Sequence, residues 1–160
     1  MLLLNIISIS LIAVIALPFI LFAVTRQPFF AALAISNLAV DISTKIIKRL
    51  TAHISPRPKG ACACDILCRG PLVEGRPGFP SGHAAVSTFA GIALSWYYQQ
   101  YTIWPYALAY VALTAFARIG KKCHTIIQVV AGIAFGALCA TLFIIASQKY
   151  TYTTSHQSII

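Results

Sequence analysis

From Met1 to Thr25 the chain carries no charged side chain, and Arg26 is the first. A hydrocarbon core of about 30 Å takes about 20 apolar helical residues to cross, so this run alone spans it. Similar runs recur to the far end of the chain. Across all 160 residues 59% are hydrophobic and 9% charged, too few charges to cover a water-facing surface. The fold class expected is all-α: one integral membrane domain, residues 1–160, of about five transmembrane helices. No positive segment precedes the first run and no clear small-residue cleavage site follows it, so it reads as a retained helix rather than a signal peptide.

The punctuation places the helices at about 2–24, 29–50, 81–98, 104–117 and 125–146. A polar loop fills 51–80 and a polar tail 147–160. Thr25 to Pro28 makes the first turn, and Pro, Gly and Cys crowd the loop. Ser81 suits an N-cap. Trp96, Tyr97, Tyr98, Tyr101, Trp104 and Tyr106 form the aromatic belt expected where helices leave a bilayer. Asp41 and Lys45, at i and i+4, read as a structural ion pair. Gly132 and Gly136, spaced G-x-x-x-G among alanines, mark a face for close helix–helix association, within the chain or beyond it.

The charge is lopsided, with 12 Lys+Arg against 3 Asp+Glu. The basic residues gather between Lys45 and Arg76 instead of running along a soluble face, which argues against nucleic acid and for lipid headgroups or an anionic substrate. Five spans bring the long loop and the Arg118–His124 connection to one side of the membrane. Lys48, Arg49, Arg57, Ser81, His83, Arg118, His124 and Gln128 all fall there. Arginine forks bind phosphate oxygens, free N–H groups at a helix start add an anion site, and two histidines can divide nucleophile and acid roles.

Arg57-Pro58, Pro80-Ser81-Gly82-His83 and Arg118-x5-His124 resemble, in order, the three motifs of the type 2 phosphatidic acid phosphatase superfamily, K-x6-R-P, P-S-G-H and S-R-x5-H-x3-D. The resemblance covers roughly Lys45 to Gly136. It implies a metal-independent phosphatase without cofactor, in which His124 attacks phosphorus to form a phosphohistidine and His83 protonates the leaving oxygen. Arg57 and Arg118 would hold the phosphoryl oxygens, with backbone N–H groups of Ser81, Gly82 and His83 completing the cradle. Gln128 stands where the family has an aspartate that orients the nucleophile, and His124-Thr125-x2-Gln128 is similar to the dolichyl diphosphatase branch. The implied substrate is a polyprenyl diphosphate, with phosphatidic acid and related monophosphates as runners-up.

Two further departures concern binding. Ala117 replaces the motif serine, and Leu50 occupies the lysine position, leaving Lys48 and Arg49 as alternatives if the segment before Arg57 is extended. Cys62, Cys64 and Cys68 form C-x-C-x3-C, open to a metal with a fourth ligand, a loop disulfide or reduced thiols. Cys123 and Cys139 read as small hydrophobes. Orientation stays open: the positive-inside rule puts the site side in the cytoplasm, whereas the resemblance implies the lumen of the endoplasmic reticulum. The alternative function is a non-catalytic scaffold of an organelle or viral membrane that keeps the fold, with the degenerate lysine in its favour and retention of both histidines and arginines against it.

Overall fold

The computed structural model describes residues 2–65, 67 and 70–157, with 150–157 described as backbone alone. It is all-helical. The elements are α1 (Leu2–Ile9), α2 (Leu11–Thr25), α3 (Pro28–Leu50), α4 (Gly82–Tyr98), α5 (Ile103–Gly120) and α6 (Ile126–Gln157). Among the described residues four stretches are long and apolar enough to cross a membrane: Leu2–Thr25, Pro28–Leu50, Ile103–Gly120 and Ile126–Lys149.

The first span divides into α1 and α2 at Ser10, which keeps right-handed helical angles and still donates its N–H to the Ile6 carbonyl at 2.9 Å. The Ser10 hydroxyl donates back to the Ile7 carbonyl at 2.8 Å and also meets the Tyr110 hydroxyl at 2.9 Å. Farther along, Pro18 lies inside α2 and has no N–H to offer the carbonyl of Val14. Asn37 Nδ2 on α3 donates to that carbonyl instead, at 3.2 Å, which removes an unsatisfied group from the bilayer interior. At the other end, α6 continues to Gln157, past the polar tail expected from residue 147.

α4, at 17 residues shorter than those four stretches, is the most enclosed helix, packed mainly on α6, α5 and α3. Its sequence, rich in Ala, Ser and Gly, explains that place, since small side chains let helix backbones approach where no hydrophobic force drives them together. A Cβ on Gly132 would strike the Ser81 carbonyl, and one on Gly136 the Ala85 carbonyl. Both glycines therefore face α4 of the same chain. Leu11, Phe30, Leu33, Val86 and Phe89 form the apolar core beside this contact. The α4–α6 contact fixes where the start of α4 lies relative to the start of α6.

Candidate active site

Those two helix starts and the end of α3 border a polar cavity of about 320 Å³, lined by Asp41, Lys45, Lys48, Arg57, Asp65, His83, Arg118 and His124 with Leu11, Cys64 and Gly82. Eight of these eleven residues carry charge or an imidazole ring close to the apolar core, an arrangement expensive in a membrane protein unless function requires it.

His124 precedes α6 and is 2% exposed. Its Nδ1 lies 3.1 Å from Gln128 Oε1. The amide's orientation is fixed by its surroundings: Gln128 Nε2 donates to the Ser55 carbonyl at 3.2 Å, the Ser55 hydroxyl at 2.9 Å and the Pro56 carbonyl at 2.9 Å. Oε1 also accepts the Thr125 N–H at 3.2 Å. With the amide so held, Oε1 can only accept from imidazole, so Nδ1 carries the proton and Nε2 carries a lone pair. Burial, then the cations Arg57, Arg118 and Lys48, hold His124 well below its ordinary pKa, with the Gln128 bond acting in the opposite direction. The ring is neutral at neutral pH.

His83, in the first turn of α4, lines the same cavity, and its buried Nε2 has no hydrogen-bond partner among the described residues. Ser81 occupies the N-cap position in extended conformation, but its hydroxyl makes no capping bond and is buried unpartnered. The cap expected from the sequence is thus absent. The Ser81 N–H is also spent, on the Gln128 carbonyl at 2.8 Å, and so is not free for an anion. Gly82 does line the cavity: a Cβ there would meet Thr44 Oγ1 at 3.0 Å and Lys48 Nζ at 3.5 Å.

The arginines reach the cavity from opposite elements. Arg57, in the loop, donates through Nη1 to the Cys123 carbonyl at 2.9 Å, and burial pulls its pKa below the ordinary value. Arg118, wholly buried in the last turn of α5, donates to the Cys64 carbonyl at 2.6 Å and the Ser8 hydroxyl at 3.3 Å. The alternatives at the lysine position separate here. α3 stays helical to Leu50, so Lys48 faces the cavity while Arg49 is exposed and outside it.

The segment 51–80 is more ordered than a plain loop, with isolated bridges joining Pro56 to Pro77 and Cys62 to Leu72. Cys64 and Cys123 form a disulfide with Cα atoms 5.4 Å apart. This corrects the reading of Cys123 as a small hydrophobe and takes Cys64 out of any three-cysteine metal site, while Cys68 lies outside the described residues. Cys62 is free and exposed. Three charged cavity residues, Asp41, Lys45 and Asp65, escaped the sequence reading of the site. Asp41 and Lys45 do pair, at 2.6 Å, but they also line the cavity. The spacing 41, 45, 48 along one face of α3 was the available signal.

The family model described as PAP2 superfamily matches residues 27–152, which includes every one of these polar residues except Ser8. The chain belongs to the PAP2 superfamily. No curated protein and no solved structure gives a significant match to it. As a PAP2 protein with several apolar spans it is an integral, multi-pass membrane protein of a phosphatase family, and its general activity is phosphoester hydrolysis.

Proposed function

We propose that this PAP2 protein is a lipid phosphatase that removes phosphate from a polyprenyl diphosphate through a phosphohistidine on His124. The observation that carries the reading is the contact of His124 Nδ1 with Gln128 Oε1: the amide, itself held by Ser55 and Pro56, calls for the proton on Nδ1 and a lone pair on Nε2, within a cavity shared with His83 and cations. In the first step His124 Nε2 attacks the terminal phosphorus, the P–O bond to the rest of the lipid breaks, and His83 delivers a proton to the departing oxygen. In the second step His83 takes a proton from water, which attacks the phosphohistidine and releases inorganic phosphate. Arg57, Arg118, Lys48 and the N–H groups of Gly82 and His83 would stabilise the charge spread over the equatorial oxygens, which is where most catalysis of phosphoryl transfer comes from. Gln128 orients the nucleophile as an aspartate would, without adding a charge. Ser81 leaves the phosphate cradle and instead ties the start of α4 to α6 through its N–H, and Arg49 is left to the headgroup layer.

The substrate class is supported by what lies beneath the polar cavity. A second cavity, of about 430 Å³, runs between α2, α4 and α5 and is lined by apolar residues that include Leu17, Leu21, Leu33, Leu94 and Ile103. It starts one helical turn below the first: Val14 follows Leu11 on α2, and Ser87 follows His83 on α4. A phosphate in the upper cavity with a hydrocarbon chain in the lower one is the shape of a lipid phosphate. Four cations against two carboxylates in the upper cavity favour the more highly charged diphosphate.

The test uses the purified protein and its His124→Ala variant in detergent with chelator present, following phosphate release from a polyprenyl diphosphate and from phosphatidic acid. The expected result is release from the diphosphate at the higher kcat/KM, reduced by about 10³-fold or more in the variant. No release from either lipid by folded wild-type protein would leave the scaffold reading in its place.

A further inference from the structure

The carbonyls that receive the two arginines belong to the two cysteines of the disulfide. Arg57 Nη1 donates to Cys123 and Arg118 Nη2 to Cys64. Each guanidinium therefore crosses from its own segment to the other: Arg57 reaches from the loop to the turn before α6, and Arg118 from α5 to the loop. The S–S bond joins those same two segments across 59 positions of sequence. Lys121 Nζ adds a third tie on the same stretch, donating to the Ala63 carbonyl at 3.0 Å. Cys123 is also the residue immediately before His124. Cys64 lines the cavity, so the bond lies in its wall.

We propose that the Cys64–Cys123 disulfide is a positioning element of the phosphate site, and that the protein grips phosphate at full strength only when the bond is closed. The proposal rests on the phosphatase reading for its ligand, a phosphoryl group, but not for its geometry. With the bond open, the carbonyls that aim the two guanidinium groups belong to segments tied only by hydrogen bonds, and both forks lose their fixed direction together. Closing the bond removes two electrons and two protons from the thiols, which a disulfide oxidant takes up as it becomes a dithiol; a dithiol reductant runs the step backwards and itself closes to a disulfide. Cytosolic thiols are kept reduced, so full activity requires the loop side of the membrane to face an oxidising compartment.

The experiment compares three forms of the full chain in detergent: oxidised wild type, wild type reduced with dithiothreitol and verified by thiol count, and Cys64→Ser/Cys123→Ser. If the double serine variant does not fold, Cys64→Ala/Cys123→Val replaces it. Binding of inorganic phosphate is measured by calorimetry, and phosphate release from a polyprenyl diphosphate is followed in parallel. Opening the bond is expected to weaken phosphate binding and raise KM by about tenfold or more, the scale of losing charge-assisted hydrogen bonds, with a smaller change in kcat and unchanged helix content. Reoxidation should restore the wild type and not the variant. Cys62→Ser, at a free exposed thiol, should bind phosphate as the wild type does and keep its sensitivity to reductant.

Equal phosphate binding by closed and open forms overturns the proposal, as does phosphate bound by none of them. Loss of helix content together with binding also overturns it, because the bond then serves folding alone. If oxidised wild type hydrolyses nothing yet binds phosphate in a bond-dependent way, the phosphatase reading fails and the positioning role stands.

Discussion

The cavity has two walls held by different forces. One is made of helix ends, and its geometry comes from α6 lying so close to α4 that Gly132 and Gly136 touch the carbonyls of Ser81 and Ala85. The other is the segment 51–80, which has no helix among its described residues and is held by a disulfide, two short bridges and side chains donating to carbonyls. Backbone contact in a packed bundle tolerates no added atom. Directional bonds from a loop can be lost one at a time while the bundle stands. The histidines depend on the first wall, and Arg57 and the orientation of Gln128 depend on the second.

The contrast breaks most sharply at Gly136. A leucine there has to displace the backbone of α4, and overpacking of this kind costs about 3 kcal/mol or more. Gly136→Leu should yield no monodisperse protein with the wild-type helix signal in detergent. A normally folded variant would mean that the two helices are not in backbone contact.

On the loop side folding should survive and chemistry should not. Gln128→Leu leaves the His124 ring without its acceptor, and kcat should fall by about 100-fold, the scale of a nucleophile misaimed by an ångström. Gly78→Ala is milder. Its Cβ would sit 2.6 Å from Gln128 Oε1, so the hydrogen-bonded amide has to shift and activity falls by about tenfold while the helix signal is kept. Wild-type activity in Gly78→Ala would show that Gln128 does not set the ring's orientation.

The smallest effect is in pH. Because His124 is held well below its ordinary pKa of 6.5, the acid limb of kcat/KM, which reports the free enzyme, should have its midpoint below 6.5. The sign for stability is opposite to that of a paired histidine: below about 6.5 the unfolded chain takes up a proton that the buried ring refuses. His124 thus lowers stability as pH falls toward its folded pKa. A midpoint at or above 6.5 would place the ring in water or beside an anion.

Much of the helical wall was legible because membrane spans are long and their apolar runs are unambiguous, and because three motifs sit where those spans end. What escaped reading depends on partners distant in sequence. C-x-C-x3-C does not say that Cys64 pairs with Cys123 beyond two intervening helices. Ser81 looks like a cap but is buried against α6, so its hydroxyl never turns to the free N–H groups. Asp41 and Lys45 pair as any i, i+4 ions would, and only their sharing a face of α3 with Lys48 points to the cavity beside them. Lys48 could be preferred to Arg49 only once α3 was known to remain helical to Leu50.

The central claim, that His124 Nε2 takes the phosphoryl group, is tested most directly by trapping it. A polyprenyl diphosphate labelled at its terminal phosphorus is mixed with the enzyme and quenched in alkali within one turnover, and the labelled peptide is sequenced. The account predicts an alkali-stable, acid-labile phosphate on the peptide carrying His124, absent from His124→Ala and accumulating in a variant slow to hydrolyse it, such as His83→Ala supplied with a substrate whose leaving group needs no proton. Label on any other residue, or full turnover by His124→Ala, would contradict it.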